Sequence, residues 1–284
     1  MAFVPAHELI QRAYREGYAV GAFNVNNMEI VQAIVEAAEA ERSPAILQAS
    51  QGAIRYAGIE YITALARTAA ESVNVPLALH LDHGTDFEQV MRCIRSGFTS
   101  VMYDGSHHPL EQNIAETARI VEIAHAVGVS VEGEIGRLVG IEDDVAVSEL
   151  EAALTDPEHA ARFARETGID FMAVAFGTRH GFYKGEPRLD FERLRRIREL
   201  VEIPIVMHGG SGVPDHQVRR AIELGVSKIN IDTELRHAFV TAARRVLERH
   251  PDEIDPRKIL GPGRDAMREK VREKMRLFGS SGKA

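Results

Sequence analysis

The chain has 284 residues, of which 45% are hydrophobic, and its formal net charge is −8. This composition is typical of a globular protein with a sizeable core, and the negative charge argues against a broad nucleic-acid-binding surface. The single cysteine, Cys93, excludes a disulfide framework within one chain and suits a reducing compartment. The start, MAFVPAHELIQ, lacks the pattern of a signal peptide. No apolar run reaches the ~18 residues of a membrane span, so we expect a cytoplasmic protein without membrane partners.

Short apolar segments alternate along the chain with longer amphipathic ones. The predicted strands cover residues 19–25, 45–50, 77–83, 100–105, 130–136, 171–177, 203–210 and 228–233. Helical patterns lie between them, such as EIVQAIVEAAEAER and PLEQNIAETARIVEIAHAVG. Eight strand–helix units in sequence predict an α/β fold of the (β/α)8 TIM-barrel type, with a doubly wound open sheet as the alternative. Because no linker divides the chain, we expect a single domain over residues 1–284.

Two predicted connections are longer than usual, residues 137–156 and 178–190. Long loops at this end of a barrel often cover the active site. Residues 251–284 follow the eighth unit and are predicted to form a C-terminal helical extension. An apolar stripe with a spacing of four runs along it, formed by Met267, Val271 and Met275. This stripe either packs on the chain's own barrel or contacts another subunit.

Polar side chains stand at the carboxyl ends of the predicted strands. In chain order they are Asn24, Ser50, Asp82, His83, Asp104, Glu132, Glu134, His180, His208, Asn230 and Asp232. A single aspartate after a strand is usually a helix cap. Polar groups at all eight ends instead indicate an active site, because these ends converge on one mouth of the barrel.

Three histidines at this mouth have the pattern of a catalytic metal site. They come from different strand ends, and three imidazoles leave one coordination position of zinc open: His83, His180 and His208. Neighbouring carboxylates could orient them or bind a second ion. We expect His80 to be a hydrogen-bonded residue of the barrel interior.

A second group of motifs favours phosphate binding. The glycine-rich turn HGGSGVPD covers residues 208–215, and NIDTE covers residues 230–234. Glycines let backbone amides approach an anion, and barrels commonly hold a phosphate after strands 7 and 8. Lys184 in the sequence YKGEP could add a positive charge.

These motifs together resemble a known family. LHLDHG, SVMYDGSHHP, VEGEIG, GTRHG, YKGEP, MHGGSGVP and KINIDTE are similar to segments of the class II, metal-dependent fructose-bisphosphate aldolases and their tagatose-bisphosphate relatives. The resemblance implies reversible cleavage of fructose 1,6-bisphosphate to dihydroxyacetone phosphate and glyceraldehyde 3-phosphate. It also implies a catalytic Zn²⁺ and a homodimer or homotetramer, with a second divalent ion and a monovalent cation as further candidates.

The resemblance also assigns roles to individual residues. Asp82 matches the proton donor, the zinc ligands are His83, His180 and His208, and the second ion is bound at Asp104 and Glu134. Ser50 matches a contact to the glyceraldehyde-phosphate half, and Arg257 an arginine that reaches the distal phosphate of a neighbouring subunit. The other candidate substrate-binding residues are Asn24, Gly181, Lys184, Gly209, Gly210, Ser211, Asn230, Ile231, Asp232 and Thr233.

The chemistry agrees with these roles. Cleavage of a ketose bisphosphate leaves a carbanion beside a carbonyl, which a bound Zn²⁺ can stabilise as an enediolate. Asp82, beside His83, is placed to exchange the proton of the aldehyde-half hydroxyl. The Schiff-base route needs a lysine in the site. It is disfavoured because Lys228 starts its predicted strand at the opposite end of the barrel. Glu142 or Asp143 could assist carbanion formation.

The sugar specificity rests on few residues. NIDT resembles the fructose branch, because tagatose enzymes tend to have a small residue at the position of Asp232. The tail DPRKILGPGR also resembles the fructose branch. GRLVGIEDD instead resembles the tagatose enzymes. A metal-dependent sugar-phosphate epimerase and a non-catalytic sugar-phosphate-binding subunit are the competing functions.

Overall fold

The computed structural model describes residues 3–138, 140–142, 145–147, 153–183 and 185–284. Within them, eight parallel strands form a closed barrel: β1 (Val20–Asn24), β2 (Ala45–Ser50), β3 (Leu77–Gly84), β4 (Ser100–Tyr103), β5 (Ser130–Ile135), β8 (Phe171–Val174), β9 (Ile205–Met207) and β10 (Val226–Ile231). Around the barrel they follow one another in the order β1-β10-β9-β8-β5-β4-β3-β2. The predicted TIM barrel is confirmed, and each strand overlaps its predicted range.

Helices surround the barrel and connect its strands. In the described ranges they are α1 (Ala6–Glu16), α2 (Met28–Glu41), α3 (Gln51–Ala57), α4 (Ile59–Glu71), α5 (Phe87–Arg95), α6 (Leu110–Ala126), α7 (Pro157–Thr167), α8 (Phe191–Leu200), α9 (Asp215–Glu223), α10 (Thr233–Arg249) and α11 (Pro256–Phe278). Two short strands, β6 (Gly140–Glu142) and β7 (Val145–Val147), pair antiparallel in the connection after β5. None of the described helices has the length and apolar character needed to cross a membrane.

The end of the barrel where the strands begin is filled with apolar side chains. Helix α1 contributes Leu9, Ile10 and Ala13 to this cluster. Their partners inside the barrel include Ala22, Ile46, Ala78, Phe171 and Val206. Because side chains alternate along a strand, the next inward positions lie two residues further along, and four of these five are polar: Asn24, Gln48, His80 and His208. The apolar floor thus supports a polar mouth.

The C-terminal extension packs on the chain's own barrel. The predicted stripe of Met267, Val271 and Met275 is at most 1% exposed and belongs to the main core. Helix α11 also contacts α2 through polar groups: the Glu41 carboxylate of α2 accepts hydrogen bonds from Arg272 and Arg276. The stripe is therefore not left free for a contact with another subunit.

Candidate active site

A local distortion of β3 brings His83 into the mouth. Asp82 points into the barrel, so regular alternation would turn His83 outward. The pairing of β3 with β4 instead shifts between Leu81 and Gly84, and His83 adopts a φ of 50°. A bulge of this kind turns a side chain toward a new direction and is common beside active sites. A side chain at Gly84 would meet the Met102 carbonyl at 2.6 Å, so the bulge requires glycine there.

The three predicted histidine ligands lie together. One ring nitrogen from each of His83, His180 and His208 can be chosen so that all three nitrogens are within 4.8 Å of one another. The ring centroids of His83 and His208 are 4.8 Å apart, and those of His83 and His180 are 5.3 Å apart. All three residues are buried. Three imidazoles at this spacing suit one divalent transition-metal ion.

The state of His208 supports a metal ligand rather than a hydrogen-bonded core histidine. Its Nε2 lies 2.7 Å from Oε1 of Glu132. Burial opposes the charge of Glu132, but Lys228, His208 and His80 outweigh it and hold the Glu132 pKa well below its usual range. The carboxylate therefore accepts the Nε2 proton, and Nδ1 of His208 keeps its lone pair. Within the described residues this buried Nδ1 has no hydrogen-bond partner, as a metal-binding nitrogen requires.

A second candidate cluster shares His83 with the first. It consists of His83, Asp104 and Glu134, whose ligand atoms also lie within 4.8 Å of one another. Nδ1 of His83 is 3.1 Å from Oδ2 of Asp104 and 3.7 Å from Oε2 of Glu134. Burial opposes the charge of Asp104, but hydrogen bonds from His83 and Ser106 outweigh it and lower the Asp104 pKa. Asp104 is thus an anion that can orient His83 or bind a cation.

Asp82 is fully buried and is held by three side-chain amides. Asn24 and Gln48 donate to its Oδ2 at 3.0 and 3.1 Å, and Asn230 donates to its Oδ1 at 3.1 Å. The Gln48 amide also donates to Oδ1 of Asn24 at 2.7 Å. These contacts fix the carboxylate in one orientation, with Oδ1 4.0 Å from Nε2 of His83. The structure therefore brings Asn24, Asp82 and Asn230 beside the candidate metal ligands.

The predicted phosphate-binding residues line a small pocket next to His180. The lining residues are His180, Gly181, Gly209, Ser211, Asn230, Asp232, Thr233 and Arg236. Gly209 has a φ of 64°, and a side chain there would meet the Arg179 carbonyl at 2.3 Å. Helix α10 begins at Thr233, so its positive N-terminal end adjoins the pocket. An anion in this pocket would meet both the glycine turn and the helix end.

The other predicted substrate residues of the mouth have different local settings. Gly210 packs tightly, since an added side chain would lie 2.7 Å from Cγ2 of Ile229. Ile231 is buried at the end of β10. Ser50 ends β2, and its hydroxyl caps helix α3 by accepting from the Ala53 amide at 3.2 Å.

Two polar residues of the mouth were not predicted from the sequence. Arg236 lines the same pocket and pairs with Asp232 at 2.5 Å. Its signal was the spacing of four from Asp232 at the start of a helix. Gln48, the other, precedes Ser50 by two residues and so faces the same side of β2, which the alternation rule could have shown.

Four other predicted residues are not among those that the structure brings together at the mouth. Lys184 and Asp143 are outside the described residues, and Glu142 belongs to β6. Their roles therefore stay predictions. Arg257 begins the exposed first turn of α11, with its side chain 88% exposed and paired with Asp255 at 2.8 Å. In the part of the chain that the structure describes, no contact joins Arg257 to the mouth.

The predicted position of Lys228 was wrong. Strand β10 begins at Val226, two residues earlier than predicted, and this places the Lys228 side chain inside the barrel. Its Nζ is fully buried, 2.9 Å from Oε2 of Glu132. The expectation for His80 is confirmed, because His80 is fully buried and its Nδ1 lies 2.8 Å from Oγ of Ser100.

A parallel barrel whose mouth gathers three histidines, the carboxylates of Asp82, Asp104 and Glu134, and an anion pocket has the arrangement of a metal-dependent enzyme acting on a phosphorylated ligand. Residues 4–283 match the family model described as "Fructose-bisphosphate aldolase class-II". The chain therefore belongs to the class II fructose-bisphosphate aldolase family, whose members are lyases.

Individual relatives agree with this membership. The chain is 50% identical to the fructose-bisphosphate aldolase of Thermus caldophilus, with 98% of each chain covered. It is 45% identical to the sulfofructosephosphate aldolase of Alkalicoccus urumqiensis, covering all of this chain and 99% of that one. The crystal structure of the YdjI aldolase from Escherichia coli K12 superposes with a TM-score of 0.87 at 34% identity, with 99% of both chains covered.

Proposed function

We propose that this chain reversibly cleaves fructose 1,6-bisphosphate to dihydroxyacetone phosphate and glyceraldehyde 3-phosphate. The observation that carries the proposal is the placement of the amide-held Asp82 carboxylate beside three histidines and an anion pocket. These groups supply the three functions that aldol cleavage of a phosphorylated ketose needs: proton transfer, stabilisation of negative charge and phosphate binding.

In the proposed reaction, dihydroxyacetone phosphate occupies the pocket between the glycine turn and helix α10. The backbone amides around Gly209 and the N-terminal end of α10 bind its phosphate. Ser211 supports this pocket, since its Oγ lies 3.4 Å from the amide nitrogens of both Asp232 and Glu234. Arg236 and Lys184 add positive charge, and Ser50 contacts the glyceraldehyde-phosphate half.

Asp82 is the acid–base group of the aldehyde half in this proposal. During cleavage it takes the proton of the C4 hydroxyl, and during synthesis it returns that proton to the aldehyde oxygen. The amides of Asn24, Gln48 and Asn230 keep its carboxylate in place, so no reorientation is needed at the moment of transfer. Glu142 or Asp143 is the base that removes the carbon-bound proton of dihydroxyacetone phosphate in the synthesis direction and returns it in the cleavage direction.

His83, His180 and His208 would hold the catalytic Zn²⁺, and Asp104 and Glu134 a second divalent ion. When bound, the Zn²⁺ supplies the positive charge that stabilises the electron pair left by the broken carbon–carbon bond. A monovalent cation near the phosphate is a further part of the proposal. So are a homodimer or homotetramer in which Arg257 reaches the distal phosphate of a neighbouring subunit, and a cytoplasmic location.

The substrate is tested by one coupled assay. Purified chain is given fructose 1,6-bisphosphate, tagatose 1,6-bisphosphate or sulfofructose phosphate, each with and without a chelator. We expect the highest kcat/KM with fructose 1,6-bisphosphate, since Asp232 stands where tagatose enzymes tend to have a small residue. Faster cleavage of either other sugar would replace the proposed substrate but keep the reaction. Activity that survives complete metal removal would contradict the metal assignment.

A further inference from the structure

A buried ion pair inside the barrel connects the metal ligands with the proton-transfer residue. Its members are Lys228 of β10 and Glu132 of β5, both 0% exposed. Nζ of Lys228 lies 2.9 Å from Oε2 of Glu132. Charges this deeply buried are costly, so a chain keeps them where they are fully paired or have a function.

The ion pair contacts the metal side of the mouth through Glu132. Oε1 of Glu132 is 2.7 Å from Nε2 of His208, and Oε2 is 3.3 Å from Nε2 of His80. The opposite nitrogen of His80 is in turn 2.8 Å from Oγ of Ser100. Glu132 is therefore held on one side by Lys228 and His80, while its other oxygen selects the tautomer and ring orientation of His208.

The same lysine contacts the proton-transfer side of the mouth through Asn230. Nζ of Lys228 donates to Oδ1 of Asn230 at 2.6 Å. This contact identifies which end of the Asn230 amide carries oxygen, because an ammonium group cannot accept a hydrogen bond. The Asn230 NH₂ group must then point to Asp82, where it donates to Oδ1 at 3.1 Å.

We propose that Lys228 is a positioning residue that sets the orientation of His208 through Glu132 and that of Asp82 through Asn230. One ammonium group thereby aligns a metal ligand from β9 with the acid–base residue from β3. Lys228 itself is fully buried, with its Nζ between Glu132 and Asn230, and the proposal gives it no direct role in binding substrate or metal. The effect expected on kcat rests on the proposed function, whereas the effect expected on Zn²⁺ affinity does not.

The test uses the full chain with Lys228→Met, which keeps an unbranched side chain, one atom shorter, and removes its charge. Without the ammonium group, Glu132 loses its ion pair and Oδ1 of Asn230 loses its donor, so the Asn230 amide is held on the Asp82 side alone. We expect Zn²⁺ affinity, measured by chelator competition, to fall about 10- to 100-fold, the usual loss when a partner of a metal ligand is removed. The visible spectrum of the Co²⁺-loaded variant is expected to shift, and kcat for cleavage to fall while KM changes little.

Two further variants separate positioning from folding. Lys274→Met is the matched control, because Lys274 is also buried and ion-paired, at 2.8 Å from Glu234, but lies on α11 outside the barrel. It is expected to lower the melting temperature without changing Zn²⁺ affinity or the Co²⁺ spectrum. If Lys228→Met does not fold, Glu132→Gln/Lys228→Met replaces it, since this double variant leaves no unpaired buried charge.

The double variant is likewise expected to bind Zn²⁺ more weakly than the wild type. Wild-type Zn²⁺ affinity, an unchanged Co²⁺ spectrum and wild-type kcat in whichever of the two variants folds would overturn the inference. If the wild-type chain cleaves none of the three sugars, the proposed function fails, but the metal affinity and the Co²⁺ spectrum still decide the role of Lys228.

Discussion

Asn24 and Asp82 are 58 positions apart in the chain, yet Nδ2 of Asn24 donates to Oδ2 of Asp82 at 3.0 Å. The barrel creates this contact, because β1 and β3 both pair with β2, and residues of equal height on these strands point to the same interior. Gln48 of β2 fills the space between them and bonds to both. The contacts that hold Asp82 therefore do not depend on the metal ligands, which makes its role separable by mutation.

Asp82→Ala is expected to keep its metal and lose cleavage. The three histidines are untouched, so bound Zn²⁺ should remain at the wild-type level. Cleavage should fall about 10²- to 10⁴-fold, the usual contribution of a positioned acid–base group. Exchange of the C1 proton of dihydroxyacetone phosphate with solvent should fall much less, because another base handles that proton. Metal analysis, kcat and proton exchange measured on the one variant check these three expectations.

The rival interpretation makes Asp82 a structural partner of His83, since the two side chains are 4.0 Å apart. In that case Asp82→Ala would lose zinc, or exchange and cleavage would fall together. Either result would remove Asp82 from the proton-transfer role. Asn24→Ala provides a graded control: it deletes one of three amide donors and is expected to lower kcat less than Asp82→Ala does.

Removal of the metal is expected to abolish cleavage, and added Zn²⁺ to restore it. The physical reason is that Lys228, a cation that the structure places near the three histidines, is already paired with Glu132 at 2.9 Å and so does not replace the ion. Borohydride added together with substrate should leave the enzyme active, because no imine forms. Mass spectrometry after this treatment gives the control. A lysine covalently joined to substrate, together with resistance to the chelator, would contradict the assignment.

Much of this site could be predicted from the sequence because its residues obey simple alternation. Asp82 and Asn230 occupy inward positions at strand ends, and a barrel must bring such positions to one mouth. The strand pattern alone was sufficient for this, and the closed order of eight strands follows it. The glycine turn was also predicted from the sequence. Its Gly209 has a positive φ and lies against the Arg179 carbonyl, where a side chain would not fit.

The remaining features depend on geometry that alternation does not encode. The direction of His83 depends on a bulge at the end of β3, with a φ of 50° that non-glycine residues rarely adopt. The inward direction of Lys228 follows from alternation with Asn230, but its depth inside the barrel depends on a strand that begins two residues before its predicted start. Each of these is decided by tertiary packing rather than by local pattern.

Arg257→Ala is expected to raise KM for the bisphosphate while leaving zinc content and the melting temperature almost unchanged. The Arg257 side chain is 88% exposed and is paired only with the nearby Asp255 among the described residues, so its loss removes little from the fold. If the arginine serves a neighbouring subunit, mixed oligomers of Arg257→Ala and Asp82→Ala should recover part of the wild-type activity. Some of their sites then combine an intact Asp82 with an intact Arg257.

Steady-state kinetics on each variant and on verified hybrids measure this effect. The matched control is Lys258→Ala, the neighbouring exposed cation, which pairs with Glu253 at 3.0 Å and has no predicted phosphate contact. Its KM should stay near the wild-type value. Hybrids without any recovered activity would argue against a shared site. An equal rise of KM in Arg257→Ala and Lys258→Ala would show that the effect comes from general surface charge.

The contact between α2 and α11 is expected to make stability depend on pH through Glu41. Hydrogen bonds from Arg276, Arg272 and Ser281 outweigh burial and lower the Glu41 pKa from 4.5 to about 2. Because the folded pKa lies below the unfolded one, this stabilisation is complete above pH 4.5 and is lost as the pH falls toward 2.

The melting temperature of Glu41→Gln should therefore lie below that of the wild type near neutral pH. The gap should close steadily in acid. Glu36→Gln is the control on the same helix, since Glu36 also pairs with an arginine of α11, Arg268, but is 43% exposed, so its removal should cost less than about 1 kcal/mol. Thermal unfolding of all three proteins across this pH range checks the prediction, and a gap for Glu41→Gln that is constant with pH would contradict it.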